Sequence, residues 1–343
     1  MTRREWLILL LAFLIIAGGA AGLYLYRSGE GAGTPPPAPP AERPDATGET
    51  VHLWITRDFG GQTLFAEEVA IEADDTVMDV LMRYGGEVKT AYGGGFVEAI
   101  QGLASAYRPG DDTSKKLDWF YYVNGTMADI GAAEFPVKAG DVIWWDYHDW
   151  SHYARVPAAV GSYPHPFQLP PDNRARELTI MHAPAFQAEA ERLAKQIAAD
   201  TGRTPALTAW DESVFQEERE LILVTDAKQL AASPFIIQLQ GLKEQSGLLA
   251  GVSDEGIVAY SAQGQPTRTC VAAGCGLLMA TTHPVYHLPL WILAGMEKEG
   301  LDKAIQSLQP FAGRIGEAPG RYFAVLFSEG GMIRLPEQTG GTP

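Results

Sequence analysis

The first clear alternation of apolar and polar positions is Val51–Ile55 (VHLWI), and a second, Leu64–Ile71 (LFAEEVAI), follows the glycine pair Gly60-Gly61. Period-two alternation interrupted by a turn signal predicts a β-hairpin. The next segment, DDTVMDVLMRYGG, changes period: Val77, Val80, Leu81 and Tyr84 fall on one helical face. Thr76 followed three residues later by Asp79 has the spacing of a capping box, and Gly85 supplies a stop. Further strands are predicted at Gly95–Ile100 (GFVEAI), Trp119–Val123 (WFYYV) and Val142–Tyr147 (VIWWDY), with turns at Asn124-Gly125 and Gly140-Asp141. Asn124-Gly125-Thr126 reads as turn chemistry, because both central residues tolerate positive φ. A hairpin, one amphipathic helix and later strands make a small α+β unit, β-grasp-like in type, over residues 51–156.

The pattern shifts near residue 175. Glu177–His182 reads as a strand, and Pro184–Thr201 places Phe186, Ala190, Leu193, Ala194, Ile197 and Ala198 on one helical face. Strands at Ala206–Trp210 and Glu220–Thr225, a helix over Pro234–Ser246 and a strand at Gly256–Ser261 follow. Helices are expected near Val271–Thr281 and Leu290–Leu308, and a last strand at Tyr322–Phe327. Alternating strands and helices predict an α/β three-layer domain with a mainly parallel sheet over residues 175–337.

Both units follow an N-terminal region of different character. Trp6–Tyr26 is an uncharged stretch of about 21 residues, long enough to span a bilayer as a transmembrane helix. Arg3 and Arg4 before it orient the N-terminus to the cytoplasm and the bulk of the chain to the extracellular side of the cell membrane. Residues 1–27 therefore read as a membrane anchor; the other reading is a signal peptide cut within the small-residue run Ala17–Gly22. Residues 28–50 form a Pro/Gly-rich linker that cannot bury a core. A net charge of −16 argues against nucleic acid as a partner. Cys270 and Cys275 are the only cysteines, and in an exported segment they read as a small disulfide loop or as two reduced core thiols. Neither spacing nor further ligands support zinc.

Chemistry concentrates in Gly93–Trp150, which holds four of the chain's 8 tryptophans. Aromatic strands beside glycines suit a flat, bulky, amphipathic ligand, since glycine lets a backbone approach without a Cβ. The order of the pieces resembles the C-terminal β-domain of the transcobalamin and intrinsic-factor family, in its bacterial surface-protein version. Gly94-Gly95-Phe96-Val97 with Ile100 matches the family's Gly-aromatic-Val strand, and Trp119-Phe120-Tyr121 its Trp-x-aromatic strand. Gly131 with Phe135, and Gly140-Asp141-Val142-Ile143 running to Trp150, complete the series. The resemblance implies binding of cobalamin or a related corrinoid, with no cofactor required. By position it implies ring contacts at Gly94, Gly95, Phe96, Val97, Tyr121, Met127 and Ala128, with Trp119 anchoring the core. Trp144, Tyr147 and Trp150 are further candidates. No helical barrel that would clasp the other face of the ring is recognisable; the α/β unit is the available partner for that role.

His148 and His152 are candidates to reach the cobalt, although Pro157, Gly161, Pro164 and Pro166 make their surroundings a loop. Asp146 and Asp149 are candidates for amides at the corrin rim, or else an exposed strand end. The α/β unit shows no dinucleotide fingerprint, phosphate loop, nucleophile elbow or zinc-protease motif, so no catalytic residue is assigned. Asp226 ends a strand and reads as a cap. The leading expectation is a membrane-tethered extracellular protein that captures a corrinoid and delivers it to a vitamin importer. The alternatives are a cell-surface module that binds protein or glycan through its aromatic sheet, and an enzyme sited in the α/β unit.

Overall fold

Thr50–Arg57 (β1) and Gln62–Ala70 (β2) pair antiparallel as the alternation predicts, in a computed structural model that describes residues 48–108, 110, 111, 113–168, 176–310 and 321–338. The segment Trp6–Tyr26 and the linker up to residue 47 lie outside the described residues, among which no helix is long and apolar enough to cross a membrane. The predicted helix is Val77–Tyr84 (α1). Its capping box is formed: the Asp79 N–H donates to Thr76 Oγ1 at 3.2 Å, and Asp79 Oδ2 accepts the Thr76 N–H at 2.9 Å. Gly85 ends the helix in right-handed backbone. Its glycine is required by space, since a Cβ there would sit 2.6 Å from the Leu81 carbonyl oxygen.

Val88–Ala91 (β3), Phe96–Ile100 (β4) and Leu103–Ala104 (β5) form a small separate sheet. Leu117–Val123 (β6), Thr126–Met127 (β7) and Val142–Asp149 (β8) join the first hairpin in the order β2-β1-β8-β6-β7, with β1 and β8 parallel at the centre. The Asn124-Gly125 turn has φ of 51° and 80°, the positive values that its two residue types accommodate. Both faces of this sheet are covered. Ile143 and Trp145 pack with Val80 and Leu81 of α1, whereas Tyr122 and Trp144 join a core shared with the second half.

That half contains Leu178–His182 (β9), Gln187–Thr201 (α2), Ala206–Ala209 (β10), Glu220–Asp226 (β11) and the helices Ala227–Ala232 (α3), Pro234–Gly241 (α4) and Lys243–Ser246 (α5). Ala250–Ser253 (β12), Gly256–Tyr260 (β13) and Pro266–Cys270 (β14) make a small antiparallel sheet. Gly276–Thr282 (β15), Pro289–Gly295 (β16), Lys298–Ser307 (α6), Ala324–Ser328 (β17) and Gly331–Leu335 (β18) complete it. The main sheet runs β10-β9-β11-β16-β15-β17-β18. Its first four strands are parallel and the remainder antiparallel, so the sheet is mixed and not mainly parallel.

Two predicted helices are corrected. The segments near Val271–Thr281 and Leu290–Gly295 are the central strands β15 and β16, and only Lys298–Ser307 is helical. A strand buried on both faces is apolar without alternation, so its period does not separate it from a buried helix. One face of the sheet packs on α2 and α6 through Ile180, Ile222, Leu278 and Leu293. The other carries Leu223, Met279 and Ile292 against α3 and α4 and against Trp54, Tyr122 and Trp144 of the first half. Backbone contacts extend that union: Val160 and Gly161 N–H donate to the carbonyls of Phe323 and Tyr322 at 3.2 and 3.0 Å. The described chain is a mixed α/β protein with several sheets.

Candidate functional site

The glycines flagged in the sequence form the tip between β3 and β4. Tyr92 turns into positive φ (53°), as do Gly93 (72°) and Gly94 (95°). A Cβ on Gly93 or Gly94 would meet nothing within 4 Å, and one on Gly95 would meet only the Tyr92 carbonyl oxygen at 3.7 Å. The tip therefore borders open space. Tyr92 is 72% exposed and Phe96 38%, their rings edge-on at 6.2 Å. Neither ring is consumed by the core, which makes an exposed aromatic pair beside a bare backbone.

Tyr121 is partly buried. It stacks on Trp145 at 5.0 Å, stands edge-on to Phe135, and its hydroxyl donates to the Ile130 carbonyl at 2.5 Å. Burial, with smaller contributions from Asp129 and Glu134, pushes the phenol up to about 12, so it remains a donor at physiological pH. Met127 and Ala128 are also partly exposed. The Met127 N–H donates to the Pro157 carbonyl at 2.9 Å and Thr126 bridges to Ala158, so the chain itself covers the free edge of β7. Trp150, partly buried, lies edge-on to Tyr107 at 5.0 Å with Lys116 Nζ 5.2 Å from its ring centre.

Val97, Trp144 and Tyr147 are placed differently from the sequence expectation. Val97 points into the α1 core. Trp144 is fully buried, its Nε1 donating to Thr56 Oγ1 at 2.7 Å, and the Tyr147 hydroxyl donates to the Ala104 carbonyl at 2.7 Å. These side chains serve packing, and the candidates left wholly or partly open to solvent are the tip, Tyr121, Met127, Ala128 and Trp150. Trp119 anchors the core through Nε1 to the Leu103 carbonyl at 2.8 Å.

The histidines do not converge. His148 belongs to β8 and not to the following loop; it is buried between Phe59 and Phe120, with ring centroids at 4.2 and 4.5 Å. His152 Nδ1 lies 3.9 Å from Glu244, against the second half. Among the described residues no group of three or more His, Cys, Asp or Glu is arranged to hold a metal ion. Asp146 is neither a rim residue nor an exposed strand end. Fully buried, its carboxylate accepts from Thr56 Oγ1, from the N–H groups of Phe59 and Gly60 at 3.0 and 2.8 Å, and faces His148 Nδ1 at 2.7 Å. The signal in sequence is Asp-x-His inside an otherwise apolar strand, which puts both groups on one face. Elsewhere, Cys270 is bonded to Cys275, and Asp226 caps α3 by accepting the Gln229 N–H at 2.7 Å.

Comparison with known proteins bears on the first half. A family profile described as a domain of unknown function, DUF4430, matches residues 74–149, well under half of the chain. No curated protein matches. Among solved structures, one from Ruminococcus gnavus, described provisionally as a metal binding protein, is 19% identical over 29% of this chain and 97% of its own, with a TM-score of 0.24.

Proposed function

We propose that residues 51–156 bind a broad, flat, amphipathic ligand, cobalamin or a related corrinoid, and that the chain is an exported, membrane-held capture protein that passes this ligand to an importer. The observation that carries the reading is the Tyr92–Phe96 tip: two exposed aromatic rings flank three glycines, two of which border open space. A corrin has apolar faces ringed by amides, and this combination offers ring faces to the one and an approachable backbone to the other. The central parallel pair β1–β8 with one helix packed on the sheet supports reading this half as β-grasp-like, in keeping with the transcobalamin-type resemblance. The second half already covers the Trp54, Tyr122 and Trp144 side of the sheet, so ligand approach is assigned to the tip and not to that face. No catalytic step is assigned to the α/β half.

Equilibrium titration of the full chain with cobalamin and with cobinamide, followed through the corrin absorption bands, tests the reading. Saturable spectral change or retention supports it; neither, with the protein shown to be folded, removes it. A second reading, a surface module that stacks on glycan, is favoured by the half-open Tyr107–Trp150 pair. Tyr107→Ser, at the ring of that pair outside the corrinoid candidates, would separate the two if glycan retention fell while corrinoid affinity stayed put.

A further inference from the structure

Far from the tip in sequence, the segment that leads out of β8 delivers Arg155 to a cleft of about 190 Å³ in the second half. Pro157, Leu239, Leu242 and Pro284 supply its apolar lining, and Gln245, Ser246, Thr282 and His287 its remaining polar groups. Arg155 makes no hydrogen bond and no ion pair among the described residues, and its Nε is buried without an acceptor. Glu244, next to the cleft, faces His152 at 3.9 Å. The two terminal nitrogens of Arg155 are not among the buried unpaired atoms, so they stay available to an anion, and the planar guanidinium is shaped for a carboxylate.

We propose that this cleft binds a small organic carboxylate with an apolar body, the acid group on Arg155 and the hydrocarbon against Leu239 and Leu242. The volume holds roughly six waters, or an acid of about ten non-hydrogen atoms. A phosphate would call for more than one cation, and no lysine and no second arginine line the cleft. The apolar wall would in turn gain nothing from a bare anion. Leu242 is 45% exposed, an apolar side chain left at the mouth where a ligand would cover it. The His287 backbone is held at φ 58° with its N–H on the His283 carbonyl at 2.8 Å, which fixes the turn at the rim. The site is independent of the corrinoid reading.

The test is calorimetric titration of the full chain with hexanoate, with hexanamide as the uncharged isostere and with inorganic phosphate. Saturable hexanoate binding is expected with a Kd on the order of 1 mM, as suits so small a ligand. Hexanamide should bind at least about tenfold more weakly, and Arg155→Gln should lose about the same factor for hexanoate. Leu242→Ser, at an exposed position, should weaken hexanoate by about threefold while the protein stays folded, and it decides the matter should Arg155→Gln fail to fold. Absence of saturation by about 10 mM hexanoate overturns the proposal, as does equal binding of the amide or an unchanged affinity in both variants. Phosphate binding as tight as hexanoate also overturns it, in favour of a site for bare anions.

Discussion

Asp146 Oδ1 lies 2.7 Å from Nδ1 of His148, two residues along the same strand, with neither side chain open to solvent. The carboxylate also accepts two N–H groups from the β1–β2 turn, where Asp58, Phe59 and Gly60 all adopt positive φ (57°, 56° and 77°). Left-handed backbone at two non-glycine residues costs on the order of 1 kcal/mol or more each and persists only where its surroundings hold it. Asp146 supplies that restraint. Asp146→Asn keeps the shape but removes the charge and turns a donor toward donors. Its loss should be about 2–4 kcal/mol, read as a lower urea midpoint with unchanged slope. A wild-type midpoint would show that the turn is held by something else.

The same turn fastens the two halves together. A Cβ on Gly60 would stand 2.1 Å from the Arg321 carbonyl oxygen, in a conformation already at φ 77°. Gly60→Ala should therefore destabilise by about 2 kcal/mol or more, through strain and through parting of the shared core. Gly61→Ala is a poor control, because its Cβ would also crowd the Asp58 carbonyl at 2.9 Å. Gly131→Ala, with nothing within 4 Å, is a good one and should be near neutral. Equal melting temperatures for the Gly60 and Gly131 variants would contradict this account.

The Cys270–Cys275 bond closes a short loop at the end of β14, and both sulfurs belong to buried residues. Restricting so short a loop in the unfolded chain is worth on the order of 2 kcal/mol. The double variant Cys270→Ser, Cys275→Ser should lower the unfolding free energy by about that amount. Insensitivity of the unfolding curve to both reductant and substitution would show that the bond contributes nothing.

Local rules read well and long-range ones do not. The capping box of Thr76 and Asp79 and the Asn124-Gly125 turn each involve residues at most three apart, so their chemistry is present in the sequence itself. Asp146 is satisfied by groups 86 to 90 positions away, and no local pattern announces them. Trp144 and Tyr121 looked equivalent as strand aromatics. They differ because alternate faces of one sheet meet different partners: Trp144 meets Phe323 at 5.0 Å, while Tyr121 is left partly open. The misread strands β15 and β16 lack alternation because α6 covers one face and the first half and α3–α4 the other. Gly300 of α6 lies against the backbone at Cys275, where a Cβ would stand 1.7 Å from the Cys275 carbonyl oxygen, a close approach set by residues 25 positions apart.

His165 gives the fold an acid limit. Burial, with a smaller effect of nearby His52, pushes the imidazole down to about 4 from its usual 6.5. A histidine whose folded value is depressed binds its proton more readily in the unfolded chain. Stability is thus complete above about pH 6.5 and falls as pH drops toward 4, where the folded form also becomes protonated. The loss should be on the order of 2 kcal/mol once solvent screening of a residue that is not wholly buried is allowed for. His165→Gln should flatten that part of the stability profile between pH 6.5 and 4. An unchanged slope in the variant would assign the acid sensitivity to other groups.

Gly95 separates ligand binding from folding more cleanly than any aromatic does. Its φ of −79° suits any residue, and a Cβ would meet only the Tyr92 carbonyl oxygen at an ordinary 3.7 Å. Gly95→Ala should therefore leave stability within about 0.5 kcal/mol of wild type. The methyl would nevertheless stand beside the tip, where a flat ligand has to approach the backbone. Corrinoid affinity should fall by about tenfold or more, and Phe96→Ser should do the same by removing a ring face. Gly102→Ala is the wrong comparison because its φ of 82° adds strain of its own, whereas Gly131→Ala leaves the tip untouched. If Gly95→Ala bound corrinoid as wild type does while Gly131→Ala also did, the tip would not be the landing surface, even if the protein as a whole retained the ligand.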